Sequence, residues 1–166
     1  MHRTIFVKTT ESCQLNCKHC FTGGNSPPRK FFNVASTADW INRLYDYDKE
    51  DGAHIELHGG EPFLATTDSL KEFVKAIPHT YSVGATTNLT YALTDELLSF
   101  MLNDLDAMST SWDKGIRFAN EKQERLWRSN LDRVIANGRQ VTLNVSVSRS
   151  IIEMDQQELL MFLRDR

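Results

Sequence analysis

Two hydrophobic periods take turns along this chain, one of two residues and one of three to four, almost from end to end. Residues 5–9 are β-branched and apolar and predict a first strand. Trp40, Ile41, Leu44 and Tyr45 fall on one face of a helix expected over 37–47. Residues 54–58 predict a second strand. Leu70, Phe73, Val74 and Ile77 stand at i, i+3, i+4 and i+7, a helix that Pro78 stops. A third strand is expected over 81–87. Thr94 then caps a helix whose first turn holds Asp95 and Glu96, where acidic groups suit the helix dipole. A fourth strand over 106–111 is followed by a helix carrying Leu126, Trp127, Leu131, Val134 and Ile135, with Asn137 and Gly138 as its stop. Residues 141–147 alternate as a fifth strand, and a last helix starts near Asp155 and runs to the end.

Five βα units in series imply a parallel sheet with helices outside it. The strand faces decide between a doubly wound sheet and a curled one. Val141, Leu143, Val145 and Val147 share one face of the fifth strand, and Thr142, Asn144, Ser146 and Ser148 share the other. Strand two sets Ile55 and Leu57 against His54, Glu56 and His58. A sheet covered on both sides needs strands that are apolar throughout. One polar face fits an open partial (βα) barrel of about five to six parallel strands, with helices outside and the site at the strands' C-terminal ends.

Composition adds limits. The chain has 166 residues, 40% apolar and 25% charged, enough for one domain with a real core. Its formal charge of −3 gives no reason to expect nucleic acid or an anionic membrane as partner. No apolar run reaches the ~18 residues a span requires, and the N-terminus enters a strand without a signal-peptide pattern. The expected location is the cytosol. The GGNSPP stretch at 23–28 predicts an irregular segment.

The cysteines change the picture most. All three, Cys13, Cys17 and Cys20, lie in CQLNCKHC, a C-x3-C-x2-C motif after the first strand. An odd, clustered set in a cytosolic chain is poor material for disulfides and reads as a ligand set. A structural zinc needs four ligands, for which His19 or His58 would have to serve. Ferredoxin clusters take four cysteines. Three thiolates on a four-iron cluster leave one iron open to an external ligand. A second motif, His58-Gly59-Gly60-Glu61-Pro62, ends strand two on the same rim. Its glycines permit close approach to the backbone, and its carboxylate suits an ammonium group.

With these two motifs one βα unit apart, the chain resembles the radical S-adenosylmethionine superfamily over residues 9–148. The segment TTESCQLNCKHC is closest in style to the peptide- and protein-modifying branch, which includes the anaerobic sulfatase-maturing enzymes. The resemblance implies a 4Fe-4S cluster on Cys13, Cys17 and Cys20, with the amine and carboxylate of S-adenosylmethionine chelating the fourth iron. It implies reductive cleavage to a 5′-deoxyadenosyl radical that abstracts hydrogen from a substrate, expected to be a peptide or protein. His19 takes the place of an aromatic residue near the adenine, and Gly59, Gly60 and Glu61 match the Gly-Gly-Glu motif, Glu61 receiving the methionyl ammonium. Asn88 ends strand three in a Thr-Asn pair near the cofactor. Ser111 begins Ser-Trp-Asp-Lys, similar to a Ser-x-Asp-Gly in which Lys114 replaces the glycine, so Ser111 is carried over as a contact and Asp113 is not. Arg117 is assigned to the methionyl carboxylate over Lys114, Arg125 and Arg128. Asn144 and Ser146, on the polar face, are assigned to adenine or ribose.

The resemblance implies six strands where the pattern gives five. The chain is read as a core domain over 1–166 that stops before the sixth strand, or as a naturally short barrel like those of glycyl-radical activases. The extra cluster cysteines of many relatives are missing, so a partner protein supplying substrate binding is expected, with an external electron donor of flavodoxin or ferredoxin type. A zinc- or iron–sulfur-binding interaction module without turnover is the competing class.

Overall fold

A computed structural model describes residues 3–20, 30–47, 52–113 and 115–164. The glycine- and proline-rich stretch at 23–28 and Lys114 lie outside the described residues. Five strands, β1 (Arg3–Thr10), β2 (Ala53–Gly59), β3 (Ser82–Thr87), β4 (Ala107–Trp112) and β5 (Thr142–Val145), form one sheet. Every pair is parallel and the strand order is β1-β2-β3-β4-β5. Helices α1 (Val34–Tyr47), α2 (Thr67–Ala76), α3 (Asp95–Asn103) and α4 (Glu121–Ala136) make the four crossovers. Right-handed crossovers between sequential neighbours put every helix on one face. That topology explains why only one face of each strand is apolar.

The helix side carries the core. Ile55 and Leu57 of β2, Val83 and Ala85 of β3 and Met108 of β4 pack against Ile41, Leu70, Phe73, Phe100, Met101, Trp127 and Val134. Thr66 and Thr94 cap α2 and α3 by accepting from the N–H groups of Ser69 and Leu97. Gly138, at φ +88, ends α4 in the left-handed region.

The opposite face is polar, and its side chains pair across strands. His54 Nε2 donates to Glu56 Oε2 at 3.0 Å, and Thr86 Oγ1 donates to Glu56 Oε1 at 2.5 Å. Ser109 Oγ lies 2.8 Å from Thr86 Oγ1. Gly84 leaves room for this ladder, since a Cβ there would sit 2.7 Å from both Glu56 and His54.

Three expectations are corrected. Trp40 is 53% exposed, because the buried stripe of α1 runs through Ala38 and the expected Ile41. Strand five is shorter than expected, ending at Val145 because the N–H of Ser146 donates to Asp113 Oδ1 at 2.9 Å rather than to a strand. Past that point Val147 is 76% exposed. A short helix, α5 (Arg149–Ile152), precedes α6 (Gln156–Arg164), where only the latter was expected.

Candidate metal centre

The cysteine loop leaves the edge strand β1 and crosses the C-terminal ends of its neighbours. Its start is seated backbone to backbone: Gly60 N donates to Thr10 O and Glu61 N to Ser12 O, each at 2.8 Å. Both glycines are required by that seat. A Cβ on Gly59, at φ +140, would lie 2.1 Å from Thr10 O, and one on Gly60 would lie 2.2 Å from Ser12 O. The backbone that approaches the two glycines is thus the chain's own.

Further along, Gln14 Nε2 donates to Asn88 Oδ1 at 2.8 Å and to Thr90 Oγ1 at 3.1 Å, tying the loop to the end of β3. Asn88 Nδ2 and Leu15 N both point at Cys13 Sγ, at 3.4 Å. Such donors suit a sulfur carrying negative charge. At the far end Cys17 Sγ donates to Arg117 O at 3.5 Å, and His19 Nε2 lies 3.0 Å from Asp113 Oδ2.

These ties place the three thiols around one cavity of about 260 Å³ at the C-terminal ends of the strands. His19, Gly59, Gly60, Asn88, Ser111, Arg117 and Ser146 share its wall. Leu15, His58, Thr86 and Thr87 complete it. Two predicted residues stand apart from the wall. Asn144 pairs with Ser111 in the β4–β5 ladder but does not line the cavity. Glu61 is fully buried beneath it.

Glu61 is enclosed by donors. Its Oε1 accepts from Phe63 N at 3.2 Å and Thr87 Oγ1 at 2.8 Å, and its Oε2 accepts from Asn88 N at 2.7 Å. Burial nevertheless outweighs these bonds and raises its pKa to about 7. Tyr91, 2.9 Å from Thr87 Oγ1, is held well above its ordinary value by the same burial and by the Glu61 charge.

The rest of the wall is electrostatically graded. Burial raises the pKa of Cys13 and Cys17, and the Arg117 charge partly offsets the shift at Cys17. Burial would also raise Asp113, but hydrogen bonds from Ser146 and the Arg117 guanidinium outweigh it and the net shift is downward. Arg117 Nε donates to Asp113 Oδ2 at 2.8 Å. Its two outer nitrogens have no hydrogen-bond partner among the described residues, and the side chain is only 15% exposed. Of its rivals, Arg125 is paired with Glu121 and Arg128 with Glu124, and Lys114 lies outside the described residues.

Among the described residues no three metal-binding side chains converge on one ion. Three thiols nevertheless share the wall of one cavity of about 260 Å³, a donor set that suits a multi-iron cluster held at three corners. Three free thiols with N–H donors aimed at one of them complete that fit.

Sequence reasoning missed Gln14 and Asn130, and it set Asp113 aside. Asn130 sits in the middle of α4, where a buried amide looks out of place. Its Nδ2 donates to Leu89 O at 2.9 Å and Tyr91 O at 2.8 Å. Leu89 is the one described non-glycine residue with positive φ, at 51°, and this clamp holds the turn that presents Asn88. Asn130→Ala is expected to cost about 1–3 kcal/mol by leaving two buried carbonyls unpaired. A urea midpoint lowered with an unchanged slope would show it.

The sequence matches the family of 4Fe-4S single cluster domains over residues 2–136. Among solved structures, the chain is similar to BtrN in complex with AdoMet and 2-DOIA, at 16% identity and a TM-score of 0.62, covering 87% of this chain and 57% of that one. It is similar to native anSMEcpe with bound AdoMet at 16% identity and a TM-score of 0.60, covering 87% and 44%. TYW1 with a lysine-pyruvate adduct bound gives 15% identity and 0.60, covering 90% and 57%. At these identities the likeness concerns the fold, and the chain spans about half the length of the structures it matches. Among the described residues no helix is long and apolar enough to cross a membrane.

Proposed function

Because this chain belongs to the family of 4Fe-4S single cluster domains, we propose that Cys13, Cys17 and Cys20 hold such a cluster and that the protein is a radical S-adenosylmethionine enzyme. The observation that carries the reading is one cavity shared by three thiols, a glycine-seated backbone and an arginine with two uncommitted nitrogens. When bound on Cys13, Cys17 and Cys20, such a cluster would supply the one-electron reduction that splits the sulfonium of S-adenosylmethionine into methionine and a 5′-deoxyadenosyl radical.

The chain's own residues then bind and orient. Asn88 and the N–H of Leu15 stabilise charge at Cys13. The outer nitrogens of Arg117 donate to the methionyl carboxylate, a match for the planar guanidinium fork. The methionyl ammonium falls to backbone carbonyls at Gly59 and Gly60, because the Glu61 carboxylate is enclosed by its own donors. Ser111 and Ser146 offer hydroxyls to the ribose, and His19 stands beside them on the wall.

The uncovered concave face, where Phe6 is 67% exposed, supports a large substrate such as a peptide or protein segment. An external donor of flavodoxin or ferredoxin type supplies the electron, and free thiols agree with a reducing cytosol. The chain acts as the core domain. Its motif style favours the peptide-modifying branch.

Equilibrium binding tests the reading. S-adenosylmethionine is expected to bind the iron-loaded protein at least about tenfold more tightly than the iron-free protein, roughly 1.4 kcal/mol. Equal affinity for the two forms contradicts an open iron. Arg117→Gln is expected to weaken binding by about tenfold or more while iron content stays at the wild-type level.

A further inference from the structure

The cysteine loop is a strap. It starts at one edge of an open sheet and is held in turn by β2, by the end of β3 and finally by the segment after β4. The last anchor is Asp113, whose side chain is completely buried. Its Oδ2 accepts from His19 Nε2 in the loop and from Arg117 Nε, while Oδ1 accepts from Ser146 N beyond β5. One carboxylate therefore joins three segments, reaching 94 positions back to His19 and 33 positions forward to Ser146.

We propose that Asp113 is the positioning residue that closes the barrel mouth, fixing the cysteine loop through His19 and aiming Arg117 into the cavity. The simpler alternative is a turn residue, since Asp113 O also accepts from Ile116 N and Arg117 N. That role belongs to the backbone and is indifferent to the side chain. The side chain's role depends on acceptors. In Asp113→Asn, an amide that keeps its oxygen on Ser146 N–H must turn its NH₂ toward the donors of His19 and Arg117. Arg117 Nε–H then faces a donor, and His19 keeps its contact only by changing tautomer to accept, trading a charge-assisted bond for a weaker neutral one; the tie to β5 is spared at nearly unchanged volume.

The inference takes its significance from the three-cysteine reading, but its test does not depend on iron. Hydrogen exchange is measured on the iron-free full chain for wild type, Asp113→Asn, His19→Phe and the double variant. Amides of residues 13–20 are expected to exchange about tenfold faster in Asp113→Asn, with β2 unchanged within about twofold. His19→Phe, which removes the contact outright, is expected to accelerate the loop at least as much, and the double variant to add nothing beyond His19→Phe, because both act on one contact. Unchanged loop exchange in Asp113→Asn overturns the proposal. So does acceleration spread equally over loop and core, or a wild-type loop already exchanging at the unprotected rate. If the strap behaves as expected while wild type takes up no cluster, the function proposed above fails and this inference stands.

Discussion

Gly60→Ala is expected to give a protein that folds its sheet and retains little or no iron after anaerobic reconstitution. The added Cβ would meet Ser12 O at 2.2 Å and Ser12 C at 2.5 Å, and both atoms are backbone. A flexible side chain could swing away, whereas here the loop itself must leave. With it go the bonds from Gly60 N to Thr10 O and from Glu61 N to Ser12 O, immediately before Cys13. Overpacking in a core typically costs about 1–3 kcal/mol, and a contact this short against fixed backbone is expected to cost about 3 kcal/mol or more at the loop. Gly52→Ala is the control: nothing lies within 4 Å of its Cβ, and it is expected to bind iron like wild type. Iron and sulfide content of the two variants checks the contrast.

Glu61→Gln is expected to destabilise the fold most at acid pH. Two backbone N–H groups, of Phe63 and Asn88, point at different oxygens of the carboxyl. An amide must offer its NH₂ to one of them, so a donor faces a donor in a buried site, at about 1–3 kcal/mol. The pH dependence follows from the raised pKa. Glu61 titrates near 7 in the folded chain against an ordinary 4.5. Between those values the folded state holds a proton that the unfolded state has lost. Wild-type stability therefore falls as pH rises through that window and levels off above about 7, by up to roughly 3 kcal/mol. The amide of the Glu61→Gln variant cannot titrate, so the stability gap between the variant and wild type is expected to narrow from pH 5 to pH 8. Urea midpoints across that range measure it. A gap that stays flat from pH 5 to pH 8 would mean that the carboxylate is ionised throughout.

Much of this architecture was legible locally. A strand's inward and outward faces are written at a spacing of two, so the polar face of β2 and β5, and with it the open barrel, could be read before any contact was known. The grouping of the thiols was legible directly: eight consecutive residues hold all three. What escaped were contacts whose partners lie far apart in sequence. Nothing near Asp113 announces that His19 will reach it, and a buried Asn130 within a helix points to a clamp only once the carbonyls of Leu89 and Tyr91 are in place. Glu61 illustrates a different limit. Its neighbours in sequence mark a glycine turn, and whether the carboxylate faces the cavity or the chain's own N–H groups depends on the backbone path between Gly60 and Pro62. Trp40 shows the corresponding limit for helices, where Ala38 and Ile41 take the buried stripe and the larger ring is left outside.

The most direct measurement is of 5′-deoxyadenosine released when anaerobically reconstituted, dithionite-reduced protein is given S-adenosylmethionine. The account predicts 5′-deoxyadenosine and methionine in equal amounts from wild type, and none from Cys17→Ala. No cleavage by a wild-type protein carrying its full iron and sulfide, or cleavage retained in Cys17→Ala, would contradict it.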